Sequence, residues 1–426
     1  MPATSSPRVL IVAEHASARF GGEAALPLHY YEGLKRRGAD VWLLVHDRTK
    51  EELLSRFPAD DRILFVADSA IDRFLWRAGA LLPDRLSTFT TGFLMRIRTQ
   101  LAQRKRIKTL IADGAIDLIH QPMPVSPREP SLLFSLPVPV VIGPMNGGMS
   151  FPAGFKDVDG SLVRAFVAAG RWSAAAINRV LPGKRQACAL LVANERTRAA
   201  LPCKGKRVIE MVENGVDFEL WHDRERPARP RGDATRFVFL GRLVDWKAVD
   251  LLLAAFADAA ARAPMSLTIL GDGPERGKLE AIAQAHDMLS DTLETGKVWF
   301  AGWRPQVECA TLLAQHDALV LPSLYECGGA VVLEAMAMRL PVIATKWGGP
   351  ADYLDPTCGI LVEPNTRETF VAGLTEGLVR LALSPELRTA MGQAGQDRVK
   401  EHFDWRIKIE RMIKIYRDIV AQGVRP

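Results

Sequence analysis

The chain has 426 residues, of which 48% are apolar, 24% charged and 7% aromatic. Those proportions exclude a disordered or fibrous protein, and the length suits two domains of about 200 residues better than one. A formal charge of +6 attracts anionic partners without naming them, and five scattered cysteines with no CxxC spacing argue for a reducing cytoplasm and against structural zinc.

The opening, MPATSSPRVLIVAEH, passes from a short polar lead into an apolar run without the basic region or cleavage pattern of a secretory signal. A cytoplasmic protein is expected, peripheral at most at the inner face of the plasma membrane. Arg8 to Ala13 reads as a strand, followed by a Gly21-Gly22 turn and a helix through Arg37. Val41–Val45, Ile63–Ala67, Leu118–His120 and Val138–Ile142 read as further strands, each apolar on both faces as buried parallel strands are. Arg73 to Lys108 is basic and interleaved with Phe74, Leu75, Trp76, Phe93, Leu94 and Met95. That pattern fits either a membrane-surface element or a solvated helix face. The longest apolar-looking stretch, Ser161 to Pro182, is broken by Arg164, Arg171 and Arg179 and is not expected to span a bilayer.

Between Val216 and Thr235 the chain turns charged and carries two prolines, as a linker does. A second series of strands is then expected at Phe237–Gly241, Ser266–Gly271, Val298–Ala301, Ala318–Pro322 and Val342–Thr345, with helices between them. Gly273-Pro274 places a proline where a helix has its first residue. Trp405 to Val420 repeats apolar residues at helical spacing (Ile407, Ile409, Met412, Ile413, Tyr416, Ile419). The expected organisation is an α/β chain of two Rossmann-like domains facing a deep cleft, with ligands at the carboxyl ends of the strands. Its parts are an acceptor-side domain over 1-218, a linker over 219-235, a nucleotide-sugar domain over 236-404, and a final helix over 405-426 packing back on the first domain. The linker and the final helix are the expected hinge for closure over the donor.

Chemistry concentrates at two strand ends of the second series. In PSLYECGGAVVLEAMAMRLPVIATKWGGP, Pro322 to Pro350, a strand gives way to a turn with Glu326 and Gly328-Gly329, then to a helix containing Glu334. Glycines at a helix start let backbone amides approach an anion such as a diphosphate. In GRLVDWKAVD, Gly241 to Asp250, Arg242 and Lys247 lie across a turn, where fixed cations stabilise a leaving diphosphate as it gains charge.

These segments resemble family 4 of the retaining glycosyltransferases, group 1 enzymes of the GT-B fold. The resemblance rests on the E-x7-E pair Glu326 and Glu334, on Arg242 and Lys247, on LGDGPE at Leu270 to Glu275, on ENGVD at Glu213 to Asp217, and on KWGGPADYLDPTCGILVEP at Lys346 to Pro364. It is dense from Phe237 to Pro364 and thinner upstream, where Gly21-Gly22 matches the family's glycine loop. The resemblance implies that Glu334 holds the donor ribose and Glu326 contacts the transferred sugar. It further implies that the amides of Gly329, Ala330 and Val331 bind sugar or phosphate, that Arg242 and Lys247 bind the diphosphate, and that Gly22 lets the first domain's loop close on it. His120 stands where such enzymes often place a histidine near the donor sugar, and Trp303 is expected near the base. No metal and no cofactor beyond the nucleotide-sugar donor is implied.

The chain departs from the pattern at Gly328, where an aromatic is common, and at Ala248, where glycine is usual. IGPMNGGMSFP (Ile142 to Pro152) is an unusual glycine-rich segment: either Asn146 and the Gly147-Gly148 amides form an acceptor or phosphate loop, or the segment is a tight turn. The implied reaction is retaining transfer from a nucleotide-diphosphate sugar to a saccharide or lipid-linked acceptor of the cell envelope, by same-face attack with Arg242 and Lys247 as electrophilic stabilisers. Alternatives are a non-catalytic nucleotide-sugar binder or an epimerase on the same fold. Nothing in the sequence carries a nucleic-acid recognition motif.

Overall fold

The structure is a computed structural model, and it describes all residues except 1–6, 21, 82–86, 88–89, 159–169, 171–172, 175, 204–206, 225–232 and 424–426. The chain forms two compact units. Unit 1 comprises Met1–Gly148, Ser161–Glu213 and Trp405–Pro426, and unit 2 comprises Met149–Gly160 and Asn214–Asp404.

In unit 1 the strands are β1 (Val9–Val12), β2 (Val41–His46), β3 (Ile63–Val66), β4 (Leu118–Gln121), β5 (Val140–Met145), β6 (Ala189–Val192) and β7 (Val208–Glu210). They form one sheet in the order β3-β2-β1-β4-β5-β6-β7, with every neighbouring pair parallel. Alternate residues of β1 feed opposite faces. Val9 and Ile11 join a cluster with Tyr30, Leu34, Trp405, Ile409 and Met412, whereas Leu10 and Val12 join one with Ile107, Leu110 and Leu190. Both faces are therefore buried, which is why the strands read as unbroken apolar runs.

Helix Trp405–Ala421 packs on helix Gly22–Arg36. A Cβ at Gly33 would lie 2.5 Å from Ile409 Cγ1, so glycine is what permits this approach. The buried face differs in one respect from the apolar spacing. Ile407 is exposed, and Lys408 is buried, its Nζ donating to the carbonyls of Val212 and Glu213 at 2.7 and 2.6 Å while lying 4.2 Å from the Trp405 ring centroid. Backbone acceptors and an aromatic face substitute for water around that ammonium, and burial pulls its pKa well below the usual lysine range.

His120, on β4, is part of this core. It has no exposed surface, one ring nitrogen lies 2.6 Å from the Gly143 carbonyl oxygen and the other 2.8 Å from the Tyr416 hydroxyl, and Tyr30 packs edge-on against it. Burial lowers its pKa to about 4, so it is neutral near pH 7. Neither ring nitrogen is presented to a ligand, which corrects the expectation of a donor-sugar contact: the strand-end position is real, but the final helix covers it. His120→Ala should lower stability by roughly 3 kcal/mol, through the cavity and the two polar groups left without a partner. Equilibrium denaturation measures this, and a change within about 0.5 kcal/mol would refute it.

In unit 2 the strands are β8 (Thr235–Leu240), β9 (Met265–Leu270), β10 (Leu289–Ser290), β11 (Val298–Gly302), β12 (Ala318–Leu321), β13 (Val342–Thr345) and β14 (Gly359–Val362). Their order is β10-β11-β9-β8-β12-β13-β14, again all parallel. Unit 2 begins earlier than the linker composition suggested. Val216 donates its N–H to the Phe403 carbonyl at 2.8 Å, Trp221 is buried, and Asp223 pairs with Arg339 at 3.1 Å. Residues 225–232 of the expected linker lie outside the described residues, as does most of Ser161–Pro182.

The segment 149–160, expected in the first domain, also belongs to unit 2. The Trp347 indole N–H donates to the Ser150 carbonyl at 2.9 Å, Phe151 packs on Tyr325 at 5.3 Å, and Phe155 packs edge-on against Phe370 at 5.9 Å. Its aromatic residues are bound by side chains remote in sequence, which local composition does not reveal. No helix among the described residues is long and apolar enough to cross a membrane.

Candidate active site

In a parallel sheet of this order, the connections on either side of one strand pair leave in opposite directions, and a crevice opens at the carboxyl ends there. In unit 2 the switch lies between β8 and β12. β8 runs into Gly241 and Arg242, and β12 runs into the turn that carries Glu326. The topology thus brings together the two segments that the sequence marked separately.

The two loops are tied by backbone and by charge. The Leu324 N–H donates to the Trp246 carbonyl at 2.8 Å. Lys247 Nζ makes an ion pair with the Glu326 carboxylate, each side chain only 15% exposed. Arg242 is exposed at the same strand end. Ala248 has φ +51°, a left-handed conformation, which gives a physical reason why glycine is usual at this place and puts strain of about 1–2 kcal/mol on the alanine. The LGDGPE turn packs beneath. A Cβ at Gly271 would lie 1.9 Å from the Gly241 oxygen, and one at Gly273 2.2 Å from the Leu243 oxygen. These two glycines let the β9 end support the Arg242 loop.

Gly329 has φ +79°, and a Cβ there would lie 3.0 Å from Glu326 Cγ. Helix Ala330–Ala337 starts immediately after it. The first N–H groups of a helix have no partner within it, so the amides around Gly329, Ala330 and Val331 present a positive end next to Glu326 and Lys247. Glu334, one turn into the helix, is half-buried, and burial pushes its carboxyl up to about 7. Its negative form also bears on Cys309 of helix Gln306–Leu313, whose thiol is pushed up to about 11, mainly by burial. Trp303 follows β11 and is 70% exposed.

One supporting element had no role assigned from sequence. Gly348 has φ +70°, and a Cβ there would lie 2.2 Å from the Glu326 oxygen, while one at Gly349 would lie 1.9 Å from the Gly328 oxygen. The Gly349 N–H donates to the Glu326 carbonyl at 2.9 Å. The KWGG turn therefore clamps the backbone that aims Glu326. Two adjacent glycines after a strand were the available signal.

Unit 1 has its own switch point, between β1 and β4. There a cavity of ≈ 470 Å³ is lined by Glu14, His15, Glu23, Arg48, Arg96, Gln121 and Glu129, among others. Arg48 lies 3.6 Å from Glu14, and Arg96 pairs with Glu129. Burial raises the carboxyls of Glu14 and Glu23 and lowers His15 to about 4, where the nearby Arg48 charge works in the same direction. From sequence, no residue of this cavity has a binding role in unit 1's strand-end crevice; Met95 and Arg96 read only as part of the basic stretch. The signal that could have found it was the strand-end rule applied to Ala13-Glu14-His15.

Gly22 is the exposed first residue of its helix, and a Cβ there would meet nothing within 4 Å, while Gly21 lies outside the described residues. Asn146 is buried, its amide donating to Glu213 Oε1 at 2.8 Å, and the Gly147 N–H donates to the Thr197 hydroxyl at 3.1 Å. Gly148 has φ +75° and lies close to Ala200 and the Arg196 carbonyl. Of the two readings of this segment, the geometry favours the tight turn, since Asn146 and the Gly147 amide are engaged inside unit 1. Among the described residues, His46, Asp68 and Asp72 place ligand-type atoms within 4.8 Å of one another. Asp72 is already committed to Arg98 at 2.9 Å and to the Ser69 cap, so a cation is in place there.

Residues 222–398 match the family described as glycosyl transferases group 1. Unit 2 carries a group 1 glycosyltransferase domain. Over 230 residues the chain is 30% identical to the alpha-maltose-1-phosphate synthase of Mycolicibacterium smegmatis, a match covering 50% of this chain and 57% of that relative. The chain thus spans little more than half the length of that curated relative.

Among solved structures, a sucrose-phosphate synthase from Thermosynechococcus elongatus superposes with a TM-score of 0.67 at 20% identity, covering 97% of this chain and 99% of that one. Anabaena HepE, solved in complex with UDP and glucose, gives a TM-score of 0.61 at 17% identity over 96% and 98% of the two chains. At such identities the likeness is one of fold, and the fold is the two-domain α/β GT-B fold.

Proposed function

We propose that the chain is a retaining, metal-independent glycosyltransferase that moves a sugar from a nucleotide-diphosphate donor to a saccharide or lipid-linked acceptor. The observation that carries the reading is the convergence, at one switch point of unit 2, of the Lys247–Glu326 pair, the open helix start at Gly329 and the burial-raised carboxyl of Glu334. Each suits a different part of one donor: the helix start and the two cations suit the diphosphate, Glu326 the sugar hydroxyls, and Glu334 the ribose. The UDP bound to the Anabaena structure supports a uridine nucleotide as the first donor to try. The cavity of unit 1 is the proposed acceptor site, because its fixed carboxylates, guanidinium groups and amides offer directional partners to hydroxyl groups.

The chemistry follows from charge. As the glycosidic bond breaks, electron density moves to the diphosphate oxygen, and Arg242 and Lys247 stabilise that charge more than the ground state. The acceptor hydroxyl attacks on the face the diphosphate leaves, its proton passes to a leaving phosphate oxygen, and the anomeric configuration is kept.

The test is a panel of UDP-, GDP-, ADP- and dTDP-sugars against the purified chain, read by thermal shift and slow donor hydrolysis, with the anomer first released identified by NMR. The expected result is stabilisation by one nucleotide class, its loss in Glu334→Ala, undiminished hydrolysis in EDTA, and the α-anomer first from an α-linked donor. Release of the β-anomer would overturn retention. Stabilisation by a nucleotide sugar without donor hydrolysis would favour the reading as a binder or epimerase, and no response to any nucleotide would overturn the donor site.

A further inference from the structure

Residues 149–155 stand far ahead of the rest of unit 2 in the chain, yet they are fastened to it at both ends. At the near end, a Cβ on Gly348 would lie 2.7 Å from Met149 Cε and 3.0 Å from its Sδ, so the buried Met149 side chain lies directly against that glycine. The Trp347 indole N–H holds the Ser150 carbonyl at 2.9 Å. At the far end, a Cβ on Gly154 would lie 1.7 Å from the Asn365 carbonyl oxygen, and Phe155 is buried against Phe370 of helix Arg367–Leu383. Between the two fastenings, Phe151 and Tyr325 meet ring to ring, both half-buried, with centroids 5.3 Å apart and planes tilted by 39°.

The near-end partners all adjoin Glu326. Tyr325 precedes it, Gly348 approaches its carbonyl oxygen, and the Gly349 N–H donates to that carbonyl at 2.9 Å. The turn itself has little to pack with, since Cys327 is half-buried and Gly328 and Gly329 bring no side chain. Glycine loses the most backbone freedom on being fixed, so the order of this turn has to be supplied from outside it. Helix Ala330–Ala337 differs, because Val332, Leu333, Ala335 and Met336 are buried in the body of unit 2. Glu334 is thus held by the core. Glu326 is held by its ion pair with Lys247, by the Gly348-Gly349 clamp, and by the thioether and ring laid against its surroundings.

We propose that Met149 and Phe151 are positioning residues for the sugar end of the donor site: they fix the turn that presents Glu326 and leave the nucleotide end to helix Ala330–Ala337. The assignment to the sugar rests on the reading of unit 2 as the donor site given above, whereas the hold on the turn does not. A residue held this way acts through Glu326 and need not touch the donor.

The experiment follows the thiol of Cys327, which lies between Glu326 and Gly328. Labelling of the folded chain with iodoacetamide, read residue by residue by mass spectrometry, needs no donor. Phe151→Ala should raise the Cys327 rate about tenfold, because loss of an aromatic pair lets the turn open more often. The half-buried Cys188 and Cys203 of unit 1 should label as in the parent. Phe151→Tyr keeps the ring and should restore the parent rate. A second arm compares UDP with UDP-glucose by calorimetry. In Phe151→Ala the affinity for UDP should stay within about twofold while UDP-glucose binds about tenfold more weakly, since the sugar hydroxyls are what meet Glu326. If Phe151→Ala does not keep the parent melting midpoint, Phe151→Leu takes its place. An unchanged Cys327 rate in a folded variant would overturn the hold on the turn, and equal weakening of UDP and UDP-glucose would overturn its assignment to the sugar. Binding of neither nucleotide by the parent would instead overturn the donor reading, with the labelling still deciding whether Phe151 orders the turn.

Discussion

Lys247→Ala is expected to reduce turnover on the order of 100-fold or more, with a much smaller change in donor affinity. The reason is where its charge acts. In the structure Lys247 is paired with Glu326 and both are largely shielded from water, so the ammonium is held in place rather than swinging through solvent. A fixed cation contributes most when negative charge develops beside it, which in the proposed reaction happens on the diphosphate as the glycosidic bond breaks. Arg242, exposed at the same strand end, should show a similar loss on replacement by alanine.

The pair with Glu326 allows a sharper measurement. If Lys247 served only to orient Glu326, then Glu326→Gln and Lys247→Ala would be strongly non-additive and the double variant no worse than either single one. Direct action on the diphosphate predicts further loss in the double variant. Lys247→Arg should restore only part of the activity, since a planar fork does not replace a point charge in a site tied to Glu326. Turnover within a few-fold of the parent for both Lys247→Ala and Arg242→Ala would remove these residues from the chemical step.

The proposed donor side of the chain was legible because its signals are local. β8 and β12 end in glycine-rich turns within a few residues of Arg242, Glu326 and Glu334, so sequence neighbourhood and spatial neighbourhood nearly coincide. Four strands escaped the reading: β6, β7, β10 and β14. β10 has only two residues and β7 three, too short for any periodicity, while β6 follows a short four-residue helix and β14 a turn that was read only as a motif.

Unit 1 was harder for a different reason. Its cavity gathers Glu14, Arg48, Arg96 and Glu129 from four separate segments, and none stands out within its own. His120 shows the same limit in reverse. Its position at the end of β4 suggested a ligand contact, but Tyr416, 296 residues further along the chain, occupies one of its nitrogens. Segment 149–160 likewise takes its place from partners such as Trp347 and Phe370.

Glu334 gives the proposed donor site a pH dependence with a defined sign. Burial raises its carboxyl from 4.5 to about 7, so near neutrality a large fraction is protonated in the nucleotide-free protein. A carboxylate accepts hydrogen bonds from ribose hydroxyls more strongly than a neutral acid does, because the acceptor is charged. Affinity for a nucleotide sugar should therefore rise as pH increases from 6 to 8, nearly tenfold per unit on the acid side and flattening above about 7.

Glu334→Gln should bind about 10- to 100-fold more weakly at pH 8 and lose the dependence. Stability without nucleotide should move the opposite way. In the unfolded chain this carboxyl ionises near 4.5, so the folded state, which holds the proton until about 7, loses relative stability as pH rises between those values. Melting curves of the parent and Glu334→Gln across that window isolate the effect: the parent alone should lose midpoint as pH rises, and saturating nucleotide should restore it. Parallel curves for the two proteins, with or without nucleotide, would show that Glu334 neither carries a raised pKa nor meets the donor.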